Sequence, residues 1–177
     1  MILTFETLIE TAPDIVKSNL FANKSLRERP DYHPEESAYE HIKIVTERLI
    51  PTDDMNLIFA AIFHDIKKTE TAKTNPKTGW PTCPGHDIKA FDFIMESPIV
   101  QSWIIDNGGD YRTVAYICLN HMRFHQLHEM RESKRNINIT TWKDQGIWEY
   151  LKIFGAADNM LVDFDLNNLE KSWKNNS

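Results

Sequence analysis

The pattern of hydrophobic and polar residues has a helical period along most of the chain. Two short amphipathic helices are predicted at the N-terminus, with a break near Pro13, and residues 23–33 form a polar connection. Pro34 is predicted to start the next helix, because the missing N–H of proline costs nothing in the first turn. Pro51 is predicted to end that helix near Ile50.

The pattern beyond Pro51 predicts further helices. A helix capped by Thr52 or Asp53 is expected to run to about Lys68. Residues 69–85 contain three prolines and two glycines, which favours a long polar loop. The stretch NINITT, residues 136–141, is weakly strand-like. The remaining helices are predicted at about 86–97, 98–107, 110–130 and 142–161. The sequence therefore predicts an all-α fold, a compact helical bundle, in a single domain over residues 1–177.

Composition and charge narrow the classes of partner. The net charge of −6 gives no basic surface for duplex nucleic acid and no polybasic membrane anchor. Two cysteines without CxxC spacing suit a reducing compartment. The N-terminus has no signal-peptide pattern, and no apolar run approaches the roughly 20 residues of a membrane span. These features predict a soluble cytoplasmic protein whose partner is a small molecule.

Histidine and aspartate residues recur at the ends of apolar runs. His64 and Asp65 end the run NLIFAAIFHD, and His121 ends VAYICLNH. The short connection after the helix that carries His41 predicts an antiparallel neighbour, which brings His41 opposite His64 and Asp65. Asp158 follows three small residues, GAA, that allow close helix packing. Each residue alone has an ordinary explanation, but together they suggest one site. The candidate metal ligands are His41, His64, Asp65, His86, His121 and Asp158.

The donor atoms of this set favour a transition metal. Imidazole nitrogen together with carboxylate oxygen suits Mn, Fe, Co, Ni or Zn, whereas an oxygen-only set would suit Mg or Ca; Mg is kept as a further option. Asp65 is the natural residue to bridge two cations, because its neighbours are imidazoles. His121, His125 and His128 share one helix face. His121 is preferred because it closes the apolar run, although His125 or His128 could replace it.

The order H…HD…D in a helical chain resembles the HD-domain superfamily of metal-dependent phosphohydrolases. The stretches HPEESAYEHIKIV (33–45), AAIFHDIKKTETAKTNPKTGWPTCPGHDIKAFDFI (60–94) and CLNHMRFH (118–125) resemble the HD domain of bacterial CCA-adding tRNA nucleotidyltransferases. The resemblance covers about residues 30–160 and is strongest over 33–94. Lys67 stands where the family motif has glycine, and Lys68 keeps the position of the motif lysine.

The resemblance implies an HD-type bundle and a metal-dependent phosphohydrolase. His86 and His121 fit the two-metal members, so two cations per chain are expected. The implied substrate is a nucleotide, a cyclic nucleotide or another small phosphoester, attacked by metal-activated water. Asp65 and Lys68 are the expected catalytic residues, and Lys68 and Arg123 are the candidate phosphate contacts. Nothing in the chain resembles the nucleotidyltransferase head, so CCA addition is not implied.

Two alternatives share the same ligand set. Some HD-fold proteins hold two irons and use oxygen to cleave C–C or C–P bonds, and the ligands alone do not separate that chemistry from hydrolysis. The third interpretation is a degenerate HD module that binds without catalysis. Against it, a non-catalytic descendant has no physical need to keep a costly cluster of buried polar groups. The substrate and the oligomeric state are not predicted by the sequence.

Overall fold

The computed structural model describes residues 2–168 and shows the predicted all-α fold. The α-helices are α1 (Phe5–Glu10), α2 (Asp14–Ala22), α3 (Ala38–Leu49), α4 (Met55–Phe63), α5 (Lys68–Thr71), α6 (His86–Glu96), α7 (Pro98–Asp106), α8 (Tyr111–His125), α9 (Glu132–Asp144) and α10 (Trp148–Asp158). Short 3-10 turns lie at Asn23–Ser25, Ile50–Thr52, Leu127–Glu129 and Leu166–Asn168. Two strands of two residues each, β1 (Lys73–Thr74) and β2 (Pro81–Thr82), pair in an antiparallel hairpin. Within residues 2–168, no helix has the length and apolar character needed to cross a membrane.

Helix α4 forms the centre of the bundle. Every residue from Leu57 to Phe63 is buried, so this helix is apolar on all sides, as expected for a helix enclosed by others. It packs against α3, α8 and α10, and α8 also packs against α6. Burial of each large apolar side chain contributes about 1.5–3 kcal/mol. The residues that follow α4 are therefore held by a rigid support.

Helix α10 approaches α8 closely at Gly155. A Cβ atom at this position would overlap the ring of Phe124, so the packing of the two helices requires a glycine here. All three small residues of this stretch are buried, as expected from the predicted close packing of the helix: Gly155, Ala156 and Ala157. This close contact brings the end of α10, and with it Asp158, towards the middle of the bundle.

The start of α3 differs from the prediction. The helix begins at Ala38 and not at Pro34, because the hydroxyl of Ser37 accepts a hydrogen bond from the Glu40 N–H and caps the first turn. Glu35 therefore lies before the helix, where its side chain is free to turn inward.

Both ends of α4 also differ from the prediction. At the start, the N-cap is Asp54, whose carboxylate accepts hydrogen bonds from two backbone N–H groups, and not Thr52 or Asp53. The helix stops at Phe63 and does not continue to Lys68. His64 and Asp65 consequently lie in the turn that follows, and the predicted loop at 69–85 contains part of α5 and the β-hairpin.

The C-terminal helices also differ from the prediction. The strand-like stretch 136–141 lies inside α9, where the burial of Asn138 and Trp142 outweighs a weak strand propensity. The single helix predicted over 142–161 is divided at Gly146, which adopts a positive φ of 72°. α10 then ends at Asp158, and α8 ends at His125 and not near residue 130.

Candidate metal centre

The structure brings the six predicted ligand side chains into one cluster. They come from five places that are distant in the sequence: α3, the turn after α4, the first residue of α6, the last part of α8 and the end of α10. All six residues are buried. They are His41, His64, Asp65, His86, His121 and Asp158.

The first group of donors consists of His41, His64 and Asp158. The two Nε2 atoms of His41 and His64 lie 3.2 Å apart. Asp158 Oδ1 lies 2.8 Å from Nε2 of His41 and 3.3 Å from Nε2 of His64. Two imidazole nitrogens that bind one cation at about 2.1 Å are separated by roughly 3.0–3.4 Å, depending on the coordination geometry. The spacing of the first group thus fits one cation.

The second group consists of Asp65, His86 and His121. The Nε2 atoms of His86 and His121 are 3.2 Å apart. Asp65 Oδ1 lies 3.0 Å from Nε2 of His86 and 3.7 Å from Nε2 of His121. The spacing of these three atoms is slightly wider than that of the first group, and it likewise allows one cation between them.

The carboxylate of Asp65 lies between the two groups. Its Oδ1 faces the second group, while its Oδ2 lies 3.1 Å from Nε2 of His64 and 3.4 Å from Nε2 of His41. Each oxygen therefore faces a different set of histidines. This is the arrangement of a carboxylate that bridges two cations.

Backbone carbonyl groups fix the orientation of three of the histidines. The Nδ1 atoms of His64, His86 and His121 contact the carbonyl oxygens three residues earlier, at 2.8, 2.6 and 2.6 Å. A carbonyl oxygen only accepts, so each Nδ1 carries a proton and donates it. In the neutral ring the lone pair then belongs to Nε2, which points into the cluster.

The second group contains a neutral imidazole, His121, and a buried carboxylate oxygen of Asp65 that point into the same space. Burial, together with the neighbouring His64 and His86, outweighs the contact with Asp65 and lowers the pKa of His121 to about 4, so its ring stays neutral at pH 7. Asp65 Oδ1 is buried and has no hydrogen-bond partner. Buried electron-rich atoms that face one another without a proton are costly. A cation between them removes that cost, so the residues fit a metal.

The first group has a different electrostatic character. Burial would lower the pKa of His41, but Asp158 and Glu35 outweigh it and raise this pKa to about 9. For His64, the carboxylates of Asp65 and Asp158 likewise outweigh burial and raise the pKa to about 10. The pKa of Asp158 lies well below its usual range despite burial, because His64, His125 and His41 surround it. A cation at this group must displace protons.

Lys68 lies at the edge of the cluster, and its side chain is buried. Its Nζ is 2.7 Å from Asp65 Oδ2 and 2.7 Å from Glu28 Oε1. These two carboxylates outweigh burial and raise the pKa of Lys68, which remains charged. The lysine that was predicted to contact phosphate therefore forms an ion pair with Asp65.

Arg123 is not brought to the cluster. It is exposed on α8, two residues after His121, which corresponds to about 200° around a helix. The structure therefore does not place this predicted phosphate contact with the predicted ligands.

Of the three histidines on or after α8, only His121 lies among the donors. Nε2 of His125 is 2.6 Å from the outer oxygen, Oδ2, of Asp158, and its side chain is 29% exposed. His128 lies beyond the end of α8, and its side chain is 42% exposed. The preference for His121 over the other two agrees with this placement, and His125 instead supports Asp158 from outside.

Sequence analysis missed three residues around the cluster. Arg48 donates from Nη1 to the carbonyl oxygens of Ala157 and Asn159, at 2.9 and 3.0 Å, and so fixes the backbone on both sides of Asp158. Its spacing of seven residues from His41 on one helix could have indicated a shared face. Glu28 and Glu35 contact Lys68 and His41, but they lie in a non-helical segment where no periodicity marks them.

Comparison of the chain with protein-family models, curated proteins and solved structures finds no match. The resemblance to HD domains therefore remains a likeness of motifs. The function has to be inferred from the donor atoms, their spacing and their surroundings.

Proposed function

We propose that the protein is a metal-dependent phosphohydrolase with a centre for two divalent transition-metal cations. The substrate class is a small phosphoester, with a nucleotide or cyclic nucleotide as the expected example. One observation carries the proposal: the two oxygens of the buried Asp65 carboxylate face two separate groups of inward-pointing histidines. Bridging carboxylates of this kind suit paired cations, which in turn suit phosphoester hydrolysis.

The residues divide into two ligand sets that share Asp65. His41, His64 and Asp158 would hold one cation, and His86 and His121 would hold the other. When bound, two such cations bind phosphate oxygens, activate water near neutral pH and stabilise the leaving oxygen. The carboxylate of Asp65 would be shared by the two ligand sets, with one oxygen directed to each.

Lys68 keeps Asp65 in the form that this role requires. Burial would raise the pKa of Asp65, but His64 and Lys68 outweigh it and hold the pKa well below its usual range. The carboxylate is thus ionised, and its Oδ2 is fixed by the 2.7 Å contact with Nζ of Lys68. Lys68 acts on Asp65 as a positioning residue and keeps a charged amine beside the centre.

The two cysteines do not offer a nucleophile. Burial raises the pKa of Cys83 to about 11 and that of Cys118 well above its usual range. Both thiols therefore stay protonated near pH 7, and the thiol form is a poor nucleophile. Attack by water agrees with this environment better than a covalent cysteine intermediate does.

The test is a turnover assay on protein that has been stripped of metal and reloaded. Chelated protein is divided between Mn, Fe, Co, Ni, Zn and Mg, and each sample is offered nucleoside monophosphates, cyclic nucleotides and a chromogenic phosphoester, in parallel with and without oxygen. We expect anaerobic hydrolysis that requires a transition metal. Activity that depends strictly on oxygen would favour the diiron oxygenase instead, and absence of metal binding would refute the proposal.

A further inference from the structure

A second layer of polar side chains, two carboxylates and an imidazole, lies behind the first group of donors. It consists of Glu28, His33 and Glu35, in the segment between the first 3-10 turn and α3. Glu35 Oε1 lies 2.6 Å from Nδ1 of His41, and Nδ1 of His33 donates to the same oxygen at 2.8 Å. The Glu35 side chain is 4% exposed. This carboxylate is therefore enclosed between two imidazoles.

His41 differs from the other three histidines of the centre. The Nδ1 atoms of His64, His86 and His121 donate to neutral backbone carbonyl groups, whereas Nδ1 of His41 faces a carboxylate. Glu35 Oε1 lies off the N–H direction, and both His41 Nδ1 and Glu35 Oε2 are buried without a hydrogen-bond partner. The carboxylate oxygen nevertheless lies within hydrogen-bonding distance of this nitrogen, at 2.6 Å, so rotation of the carboxylate is enough to make a charge-assisted hydrogen bond.

A third cation at this place is chemically unsuitable. His33, Glu35 and His41 lie close enough together to be considered as a ligand group. However, Nε2 of His41 already belongs to the first group, and a neutral imidazole has only one lone pair on its two nitrogens. His41 could serve two cations only after losing its remaining N–H proton. The contact with Glu35 is therefore better explained as support for a ligand.

The charge of Glu35 is maintained by its neighbours. Burial would raise its pKa, but His33 and His41 outweigh burial and lower the pKa to about 2. A carboxylate that accepts the N–H of a metal-binding histidine fixes its ring and increases its basicity, and loss of such a group typically weakens metal binding 10–100-fold.

We infer that Glu35 is a positioning residue that sets the affinity of the first group for its cation through His41, and leaves the second group unaffected. The inference rests on the proposed two-cation centre. The selectivity follows because His86 and His121 are oriented by the carbonyl groups of Cys83 and Cys118, which Glu35 does not touch.

The experiment is a Co²⁺ titration of chelator-treated protein, followed by calorimetry and by the visible absorption of bound cobalt. Glu35→Gln removes the charge with almost no change in shape, Glu35→Ala removes the side chain, and Glu35→Asp keeps the charge. The matched control is Glu36→Gln, at an exposed neighbour. His86→Ala identifies the binding phase of the second group. Melting of the metal-free variants checks that each is folded.

For the first cation we expect about 10-fold weaker binding in Glu35→Gln and up to about 100-fold in Glu35→Ala, with Glu35→Asp closer to the wild type. The second cation should bind as in the wild type, and Glu36→Gln should not differ from it. Equal weakening of both phases would indicate a general structural role and overturn the inference, as would unchanged binding in Glu35→Gln and Glu35→Ala. If the wild type binds no cobalt, the proposed function itself fails.

Discussion

At the residue scale, Asp65 connects the two halves of the centre. Its Oδ2 is held by Lys68 and faces His64, and its Oδ1 faces His86 without a hydrogen-bond partner. Within residues 2–168, the polar contacts of the other carboxylate ligand, Asp158, are with the first group and with His125. Asp65 is thus the one described side chain whose loss affects both ligand sets directly.

The change Asp65→Asn should abolish turnover and remove both cations together. The amide keeps the size of the side chain but not the charge that the two proposed cations would share. Metal content after gel filtration and turnover with added Mn²⁺ measure the effect. Asp106→Asn, at an exposed position at the end of α7, is the matched control. An Asp65→Asn protein that keeps its full rate would exclude this cluster as the reaction centre.

Protons would compete with a cation at His41 and His64. Their pKa values, about 9 and about 10, lie above the ordinary value of 6.5. In metal-free protein, the folded state therefore holds more protons than the unfolded state from about pH 6.5 upward. The stabilisation from these histidines is complete below about pH 6.5 and is lost as the pH rises towards 9 and 10.

Metal binding has the opposite dependence, because the cation requires neutral imidazoles and releases their protons. The increase in melting temperature caused by Mn²⁺ should therefore grow between about pH 6 and pH 9. Asp158 remains ionised across this range, since its pKa is strongly lowered. Melting curves with and without metal at each pH test this. An increase that shrinks as the pH rises would show that these histidines are not ligands.

At the element scale, the success of the sequence predictions follows the strength of local signals. Helix α6 begins at His86, right after Gly85, and α7 begins at Pro98, so both boundaries had clear markers. The start of α3 was wrong because Ser37 caps the helix more effectively than Pro34 begins it. The strand-like pattern at 136–141 failed because burial of Trp142 against neighbouring aromatic rings favours a helix.

The residues of the candidate centre were likewise predicted where the local sequence marks them and missed where it does not. Most of the predicted ligands stood out because they end or interrupt apolar segments, whereas His86 follows a polar loop and was indicated by the resemblance to two-metal HD domains. Glu28 and Glu35 lie in a polar connection, and nothing local distinguishes them from solvated carboxylates. Their contacts with Lys68 and His41 arise from tertiary folding alone. Arg123, by contrast, could have been excluded from the sequence, because a residue two positions after His121 lies about 200° away around α8.

The packing of α10 on α8 should be sensitive to one methyl group. Gly155→Ala places a Cβ against the ring of Phe124, and overpacking of this kind costs about 1–3 kcal/mol. We expect a fall in melting temperature of about 2–4 °C per kcal/mol, together with weaker binding of the first cation, since Asp158 lies one turn further along α10. Lys152→Ala, on the same helix, should have little effect. An unchanged melting temperature and metal affinity in Gly155→Ala would contradict this role for the glycine.

At the scale of the whole molecule, the centre joins segments that span positions 41 to 158 of the chain. A cation that binds only the folded state stabilises it by mass action, by about 2.7 kcal/mol at a concentration 100 times its dissociation constant. The buried carboxylates and imidazoles are costly without a partner. Metal binding and folding are thus expected to support each other in this protein.

The most direct measurement is anomalous diffraction at the Mn edge from crystals of the protein grown with excess Mn²⁺. The two-cation centre predicts two peaks, about 3.5–4 Å apart, on opposite sides of the Asp65 carboxylate. One should lie beside His41, His64 and Asp158, and the other beside His86 and His121; His86→Ala should lose only the second. A single peak in the wild-type protein, or a His86 ring directed away from both positions, would contradict the account.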